Sequence, residues 1–227
     1  MDVQHTVLSL AGYPIHRIDF DPLTFSEADL LWLPHHHQLQ NAVRKRKAEH
    51  LAGRLAAAHA LRDRGSSQIP AIGSQRQPLW PSGLFGSISH CNTTALALIA
   101  PHPVGVDIES IMTPGLCDEI VDTLLNKDEQ RILLASSLPL PMALTLAFSA
   151  KESLYKACGS QAPPHSDFTA ARVISLSANS IALALYPTEN PHYAGRRYQI
   201  HWQRYSGHIV TLCTTPCSPT PEISSNA

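Results

Sequence analysis

Three short stretches of this chain carry residue types and spacings suited to phosphoryl chemistry. They are Gly105-Val106-Asp107-Ile108-Glu109, then Phe148-Ser149-Ala150-Lys151-Glu152-Ser153-Leu154-Tyr155-Lys156-Ala157, and upstream of both Ser87-Ile88-Ser89-His90-Cys91. Asp107 and Glu109 stand two positions apart after an apolar run, so on a strand both carboxylates point to one face. Glu152 and Lys156 stand four apart in a helix-like stretch and also share a face. Three carboxylates and a lysine are what a hard divalent cation holding a phosphate chain needs. Each piece has a plainer reading. The acidic pair could guard a solvated strand edge, Ser149 and Glu152 have capping-box spacing, and Glu152 with Lys156 could be a simple helical ion pair. Against the first, residues 95–100 and 104–106 are strongly apolar, so the strand end should be buried, where charges are paired or bind metals. Against the second, the apolar helical run extends back to Pro141, which puts Ser149 in mid-helix.

Other candidates are less sharp. Arg44-Lys45-Arg46-Lys47 is the only dense basic cluster, and Lys45 and Lys47 read as a solvated face. Arg46, His50 and Arg54 are spaced by four, opposite much of the apolar stripe formed by Val43, Leu51, Leu55, Ala58 and Leu61 or Arg62, and such a row can meet phosphates. Ser89-His90 ends a strand in which Gly86 permits close backbone approach, although a lone histidine is more often a satisfied structural residue. Lys151 reads as solvated. The run His35-His36-His37 follows Pro34 and reads as a solvated loop, since no Cys or His partner stands at zinc-ligand spacing.

The elements that must position these residues are legible as an alternation of classes. Residues 6–20 read as strand, Ser26 as a helix N-cap with acidic first-turn residues, and residues 39–64 as a long helix closed by Gly65. Strands are expected at 84–89, 93–100 and 104–109. Helices are expected at 118–125, at 128–134, and from Pro141, suited to a first turn, to about 158. Four further strands follow at 172–177, 181–186, 198–205 and 209–214. The expected class is α+β, with two similar lobes related by a pseudo-twofold, residues 1–104 and 105–215, and a frayed tail at 216–227.

Composition excludes several functions. With 227 residues and 44% apolar content, the chain can bury a real core. A formal net charge of −1 gives no global pull toward nucleic acid, so any anion site must be local. No apolar run approaches a membrane span, and the N-terminus lacks a signal-peptide layout. Five scattered cysteines, an odd number, argue against a disulfide framework and suit a reducing cytoplasm.

Taken together, G-[VI]-D-[IV]-E, a gap of about forty residues and [FW]-[ST]-x-K-E-[SA]-x-x-K resemble the signature of the 4′-phosphopantetheinyl transferases of the larger, two-lobed class. The helix from Arg46 to Arg54, Arg76-Gln77-Pro78-Leu79-Trp80-Pro81 and Gly86 to Cys91 are similar to the siderophore-pathway members. The chain departs from the pattern at Phe148, where the family often has Trp, and at Gln75-Arg76, where some relatives carry lysine. The resemblance implies transfer of phosphopantetheine from coenzyme A to a serine of an acyl, peptidyl or aryl carrier domain, with adenosine 3′,5′-bisphosphate released. It implies that Asp107, Glu109 and Glu152 hold Mg²⁺, with Glu152 also serving as base for the serine, directly or through water. It puts Lys156 and His90 on the pyrophosphate, Arg46, Arg54 and Arg76 on the 3′-phosphate and adenine end, and Ser89 at the nucleotide site. It further implies a monomer with an inter-lobe cleft for coenzyme A, in the cytoplasm or attached peripherally to a membrane through a synthase complex. A non-catalytic coenzyme A-binding subunit is the alternative; it would keep the arginine row but need not keep all three carboxylates. Residues 111–125 are the expected carrier-recognition segment.

Overall fold

The structure is a computed structural model that describes residues 1–158, 170–185 and 196–214. It is α+β. An antiparallel hairpin opens it, β1 (Val3–Leu10) and β2 (Tyr13–Phe20), turned by Ala11-Gly12 with both residues at positive φ, the geometry that matches strand twist. Two 3₁₀ turns follow, Glu27–Trp32 and His36–Leu39, then helix α1 (Arg44–Arg62). The helix is shorter at its N-terminus than the expected 39–64, because Leu39 is drawn into the core on the preceding 3₁₀ turn. Its C-terminus closes as expected: Gly65, at φ +75°, donates to Arg62 O at 2.9 Å and Ser66 donates to Leu61 O at 3.0 Å, the Schellman pattern. A two-residue ladder, β3 (Ala71–Ile72) with β4 (Pro78–Leu79), leads to β5 (Phe85–Cys91) and β6 (Thr94–Ala100). The first sheet runs β1-β2-β6-β5, with α1 on one face.

Residues 101–103 carry the chain into the second sheet, β7-β11-β10-β9-β8, all antiparallel. Here β7 is Val104–Ser110, β8 Ala171–Leu176, β9 Ser180–Leu185, β10 Arg197–Tyr205 and β11 His208–Thr214. Between β7 and β8 lie α2 (Pro114–Leu124), α3 (Lys127–Leu134) and α4 (Leu140–Cys158). Helix α2 begins four residues before the expected 118, where Thr113 accepts from the Leu116 amide at 3.4 Å and Pro114 opens the first turn. The expected tail, Tyr186 and Cys217 lie outside the described residues.

Each sheet carries one 19-residue helix, α1 or α4. A further apolar layer joins the sheets: Leu96 and Leu98 of β6 pack with Val106 and Ile108 of β7 and Val210 and Leu212 of β11. The strands meet at a polar stitch as well, because the buried Ser87 hydroxyl of β5 accepts the Val106 amide at 2.9 Å. Much of residues 111–125 is spent on the core, with Cys117, Leu124 and Leu125 buried and Ile111, Met112, Ile120 and Val121 packed against them; Leu116 is exposed.

Candidate functional site

The site is built where α4 lies against β7. Gly105 sets the distance: a Cβ there would stand 1.8 Å from the Ser153 carbonyl oxygen and 2.7 Å from the Ala157 amide nitrogen, so only glycine lets the helix backbone come this close. Alternation along β7 then points Asp107 to the same side as Gly105, toward Ser149 and Lys156 of α4.

Asp107 is the centre of the arrangement, its side chain 3% exposed. Its Oδ1 accepts from Lys156 Nζ at 2.6 Å and from Ser89 Oγ at 2.8 Å, and its Oδ2 accepts from Ser149 Oγ at 2.7 Å. Lys156 also donates to Ser89 Oγ at 3.0 Å and to Val106 O at 3.3 Å. Thr211, opposite Asp107 on β11, lies 2.9 Å from Ser149 Oγ and donates to Ser149 O. Ser149 therefore sits in mid-helix as a buried donor to the acid, and the capping-box reading of Glu152 is ruled out.

Glu109 and Glu152 flank this centre, both half-buried. Burial pushes the Glu109 carboxyl from 4.5 up to about 7, reinforced by the charges of Asp107 and Glu152 and opposed by Lys156. Burial likewise raises Glu152; Lys156 opposes the shift and Asp107 adds to it. One ammonium does not offset three neighbouring carboxylates. The donor set fits a hard divalent cation such as Mg²⁺: all oxygen, no sulfur, no imidazole, and an excess of negative charge. Among the described residues no three His, Cys, Asp or Glu side chains stand as a ready metal cluster, and at Asp107 it is the lysine that fills Oδ1.

A second cluster joins α1 to β5. The Arg46 guanidinium donates to His90 Nε2 at 2.7 Å, and the buried Glu49 stands 3.9 Å from both Arg46 Nη1 and His90 Nδ1. Burial lowers the His90 pKa, as do Arg46 and Lys156, while Glu49 and Asp107 oppose the shift; a neutral ring suits its role as acceptor. Deeper along α1, Arg54 is buried, donates through Nε to Pro70 O at 2.8 Å, and is brought down to about 10 by burial and by Arg46. His50 meets His35 at 2.9 Å between their Nε2 atoms, and burial, Arg54 and His35 hold His50 down to about 3. Arg76 stays apart, exposed at positive φ in the turn between β3 and β4, and among the described residues its side chain makes no hydrogen bond or ion pair to the two clusters.

Three expectations of solvated side chains are corrected. Lys47 is buried and binds Glu27 through both carboxylate oxygens at 3.0 Å. Lys151 is buried against Glu129 at 2.9 Å and donates to Leu124 O at 2.8 Å. His35 is buried against His50 rather than lying in a solvated loop. In each case the partner lies well outside the local window: 20 residues before Lys47, 22 before Lys151 and 15 after His35. Sequence reasoning also missed Glu49 and Thr211. Glu49 had a visible signal, an acid three residues after Arg46 of the basic run; Thr211 is an ordinary strand residue and had none.

Comparison with known proteins gives the arrangement its family. The model described as 4′-phosphopantetheinyl transferase N-terminal domain matches residues 35–100, and that of the 4′-phosphopantetheinyl transferase superfamily matches residues 103–213. Enterobactin synthase component D of Salmonella typhi is 51% identical over 212 residues, covering 93% of this chain and 90% of that protein. The protein of the same name from Escherichia coli K12 is 44% identical over 213 residues, covering 94% and 98%. The 4′-phosphopantetheinyl transferase PptT of Mycobacterium tuberculosis is 30% identical over 168 residues, covering 67% and 71%. With both halves matched and near-full-length relatives at this identity, the acid-and-lysine seam between β7 and α4 belongs to a transferase, and the chain is a member of the 4′-phosphopantetheinyl transferase superfamily.

Proposed function

We infer that this transferase moves the 4′-phosphopantetheine arm of coenzyme A onto a serine of an apo carrier domain, in the assembly of a siderophore peptide. Supporting the pathway are the near-full-length relatives named for enterobactin synthase. Supporting the chemistry is one observation above all: Asp107, Glu109, Glu152 and Lys156 share one seam, where negative charge is left in excess.

In the reaction the serine oxygen attacks the phosphorus that bears pantetheine. A new P–O bond forms, the bridging P–O bond of the pyrophosphate breaks, and adenosine 3′,5′-bisphosphate leaves with its electron pair. Asp107, Glu109 and Glu152 would hold Mg²⁺, which when bound neutralises phosphate charge and orients the leaving group. Glu152 takes the serine proton, directly or through water. Lys156 and His90 meet the pyrophosphate, where a fixed cation favours the developing charge, an effect of roughly 3 kcal/mol for one well-placed donor. Arg46 and Arg54 take the 3′-phosphate and adenine end; Arg46 is tied to His90, so the two subsites adjoin. Arg76 would reach that end from the β3–β4 turn, and Ser89 would border the nucleotide through the hydroxyl that holds Asp107. No helix among the described residues is long and apolar enough to cross a membrane; a place in the cytoplasm, or attachment through a synthase complex, is part of the proposal.

The test is mass spectrometry of an apo aryl or peptidyl carrier domain after incubation with coenzyme A and Mg²⁺. The carrier should gain the phosphopantetheine mass, and Asp107→Ala or Glu152→Ala should abolish the gain while circular dichroism stays native. Full activity in either variant would remove these residues from the chemistry.

A further inference from the structure

The ammonium of Lys156 is saturated where it stands, with Asp107 Oδ1 at 2.6 Å, Ser89 Oγ at 3.0 Å and Val106 O at 3.3 Å as its acceptors. Asp107 Oδ1 is equally full, since its two lone-pair directions take Lys156 and the Ser89 hydroxyl. A lysine held this way cannot also neutralise a pyrophosphate, and a carboxylate oxygen filled this way cannot also ligate a cation.

We propose that the site works by cation exchange at Asp107: Lys156 is its resident counter-ion, and a divalent cation arriving at Asp107, Glu109 and Glu152 displaces the ammonium, which is thereby released toward the pyrophosphate. The proposal rests on the reading of those three carboxylates as the cation's ligands. Burial is the first argument for it, because a side chain 3% exposed must keep a cation at all times. Reach is the second. Lys156 is 25% exposed and flexible, so it can leave, whereas Asp107 is fixed by strand β7 and cannot. The third is what stays behind. Ser149, locked by its contacts with Thr211, keeps its hydrogen bond to Oδ2, so the carboxylate holds its orientation through the exchange. Only the contacts of Lys156 itself are broken, those to Asp107, Ser89 and Val106. The exchange makes cation binding and lysine delivery one event, so the pyrophosphate meets its second positive charge only once the cation is in place.

The experiment reads the lysine and the cation separately, with Mn²⁺ as probe and coenzyme A absent. Acylation of lysines by an amine-reactive ester, mapped by peptide mass spectrometry, should rise about tenfold at Lys156 when Mn²⁺ saturates the protein, while the exposed Lys45 and Lys127 do not change. Titration calorimetry should show the uncharged Lys156→Met variant binding Mn²⁺ about tenfold tighter than the unaltered protein, and Asp107→Asn should weaken binding in both backgrounds. Circular dichroism checks that the variants fold. Mn²⁺ bound with Lys156 acylation unchanged, or Lys156→Met binding no tighter, overturns the exchange and leaves the proposed function standing. No Mn²⁺ binding by any folded form overturns the cation site itself, and the exchange with it.

Discussion

Gly105→Ala is the substitution that most directly tests how the fold makes the site. The added methyl would stand 1.8 Å from the Ser153 carbonyl oxygen, against the 3.4 Å at which ordinary contact begins, so α4 and β7 must part by about 1.6 Å along that line. Both nearest atoms belong to helix backbone, which cannot rotate away as a side chain would. The cost should therefore fall at the upper end for overpacking, about 3 kcal/mol, or roughly 6–12 °C in melting temperature for a chain of this size. The same parting would carry Ser149 and Lys156 out of hydrogen-bond reach of Asp107, now at 2.7 and 2.6 Å. Misplacement of a catalytic group by about 1 Å costs roughly 100-fold in rate. Thermal unfolding and the rate of carrier labelling measure the two effects. Gly115→Ala is the control, since nothing stands within 4 Å of a Cβ there and α2 should, if anything, gain stability. Native melting temperature and native rate in Gly105→Ala would refute the claim that this glycine sets the helix-to-strand distance.

Other expectations follow from charges held against their preference. The folded-state pKa of Glu109, about 7, exceeds its reference of 4.5, so its ionisation penalises the fold; the penalty is absent below pH 4.5 and complete above about 7. Glu109→Gln should thus raise the melting temperature in EDTA at pH 7.5, by up to roughly 3 kcal/mol in stability, and shrink the further stabilisation by Mg²⁺; scanning fluorimetry reads both. His50 is shifted the opposite way, from 6.5 to about 3, so stability is fully present above pH 6.5 and is lost as pH falls toward 3. At pH 5 that loss is about 2 kcal/mol, and urea unfolding should show it vanish in His50→Gln, apart from what His16, His35, His59 and His90 contribute in the same direction. Lys151→Met strands Glu129 without its cation at 3% exposure and should cost about 3–5 kcal/mol; urea unfolding should then find that adding Glu129→Gln restores part of it.

Much of the site could be read from spacing, because Asp107 with Glu109 and Glu152 with Lys156 are each fixed by the period of a single element. Strand and helix positions were legible for the same reason, apart from the start of α1, where Leu39 answers to the core and not to helix propensity, and that of α2, which opens four residues early at Pro114. What spacing cannot reveal is pairing at a distance. Lys47 and Lys151 look alike in sequence to Lys45, and only the arrival of Glu27 and Glu129 from other elements buries the first two. Arg54 likewise reads as part of an open basic stripe, but packing places it under the connector, with Pro70 O as acceptor. The lysine that fills Asp107 instead of waiting for phosphate is invisible for a different reason: both residues belong to the motifs, and the motifs do not say which contact comes first.

Strand β7 explains why chemistry and architecture are hard to separate here. Its even positions Val106 and Ile108 enter the apolar layer shared with β6 and β11, and its odd positions Gly105 and Asp107 face α4. A slip of one residue would put carboxylates into the shared core and valine into the site. The register is therefore held twice, by the β11 ladder that sets Asp107 against Thr211 and by the Ser87 hydroxyl that takes the Val106 amide. Because the same five residues, 105–109, close the contact between the sheets and supply two of the acids, a change that loosens the core between the sheets should weaken cation binding before it unfolds the protein. Enlarging Val106 tests this, since its side chain lies in the apolar layer and meets the site only through the backbone carbonyl that accepts from Lys156: Val106→Phe should lose Mn²⁺ affinity at temperatures where its circular dichroism is still native, and retained affinity up to the unfolding transition would show that core and site are independent.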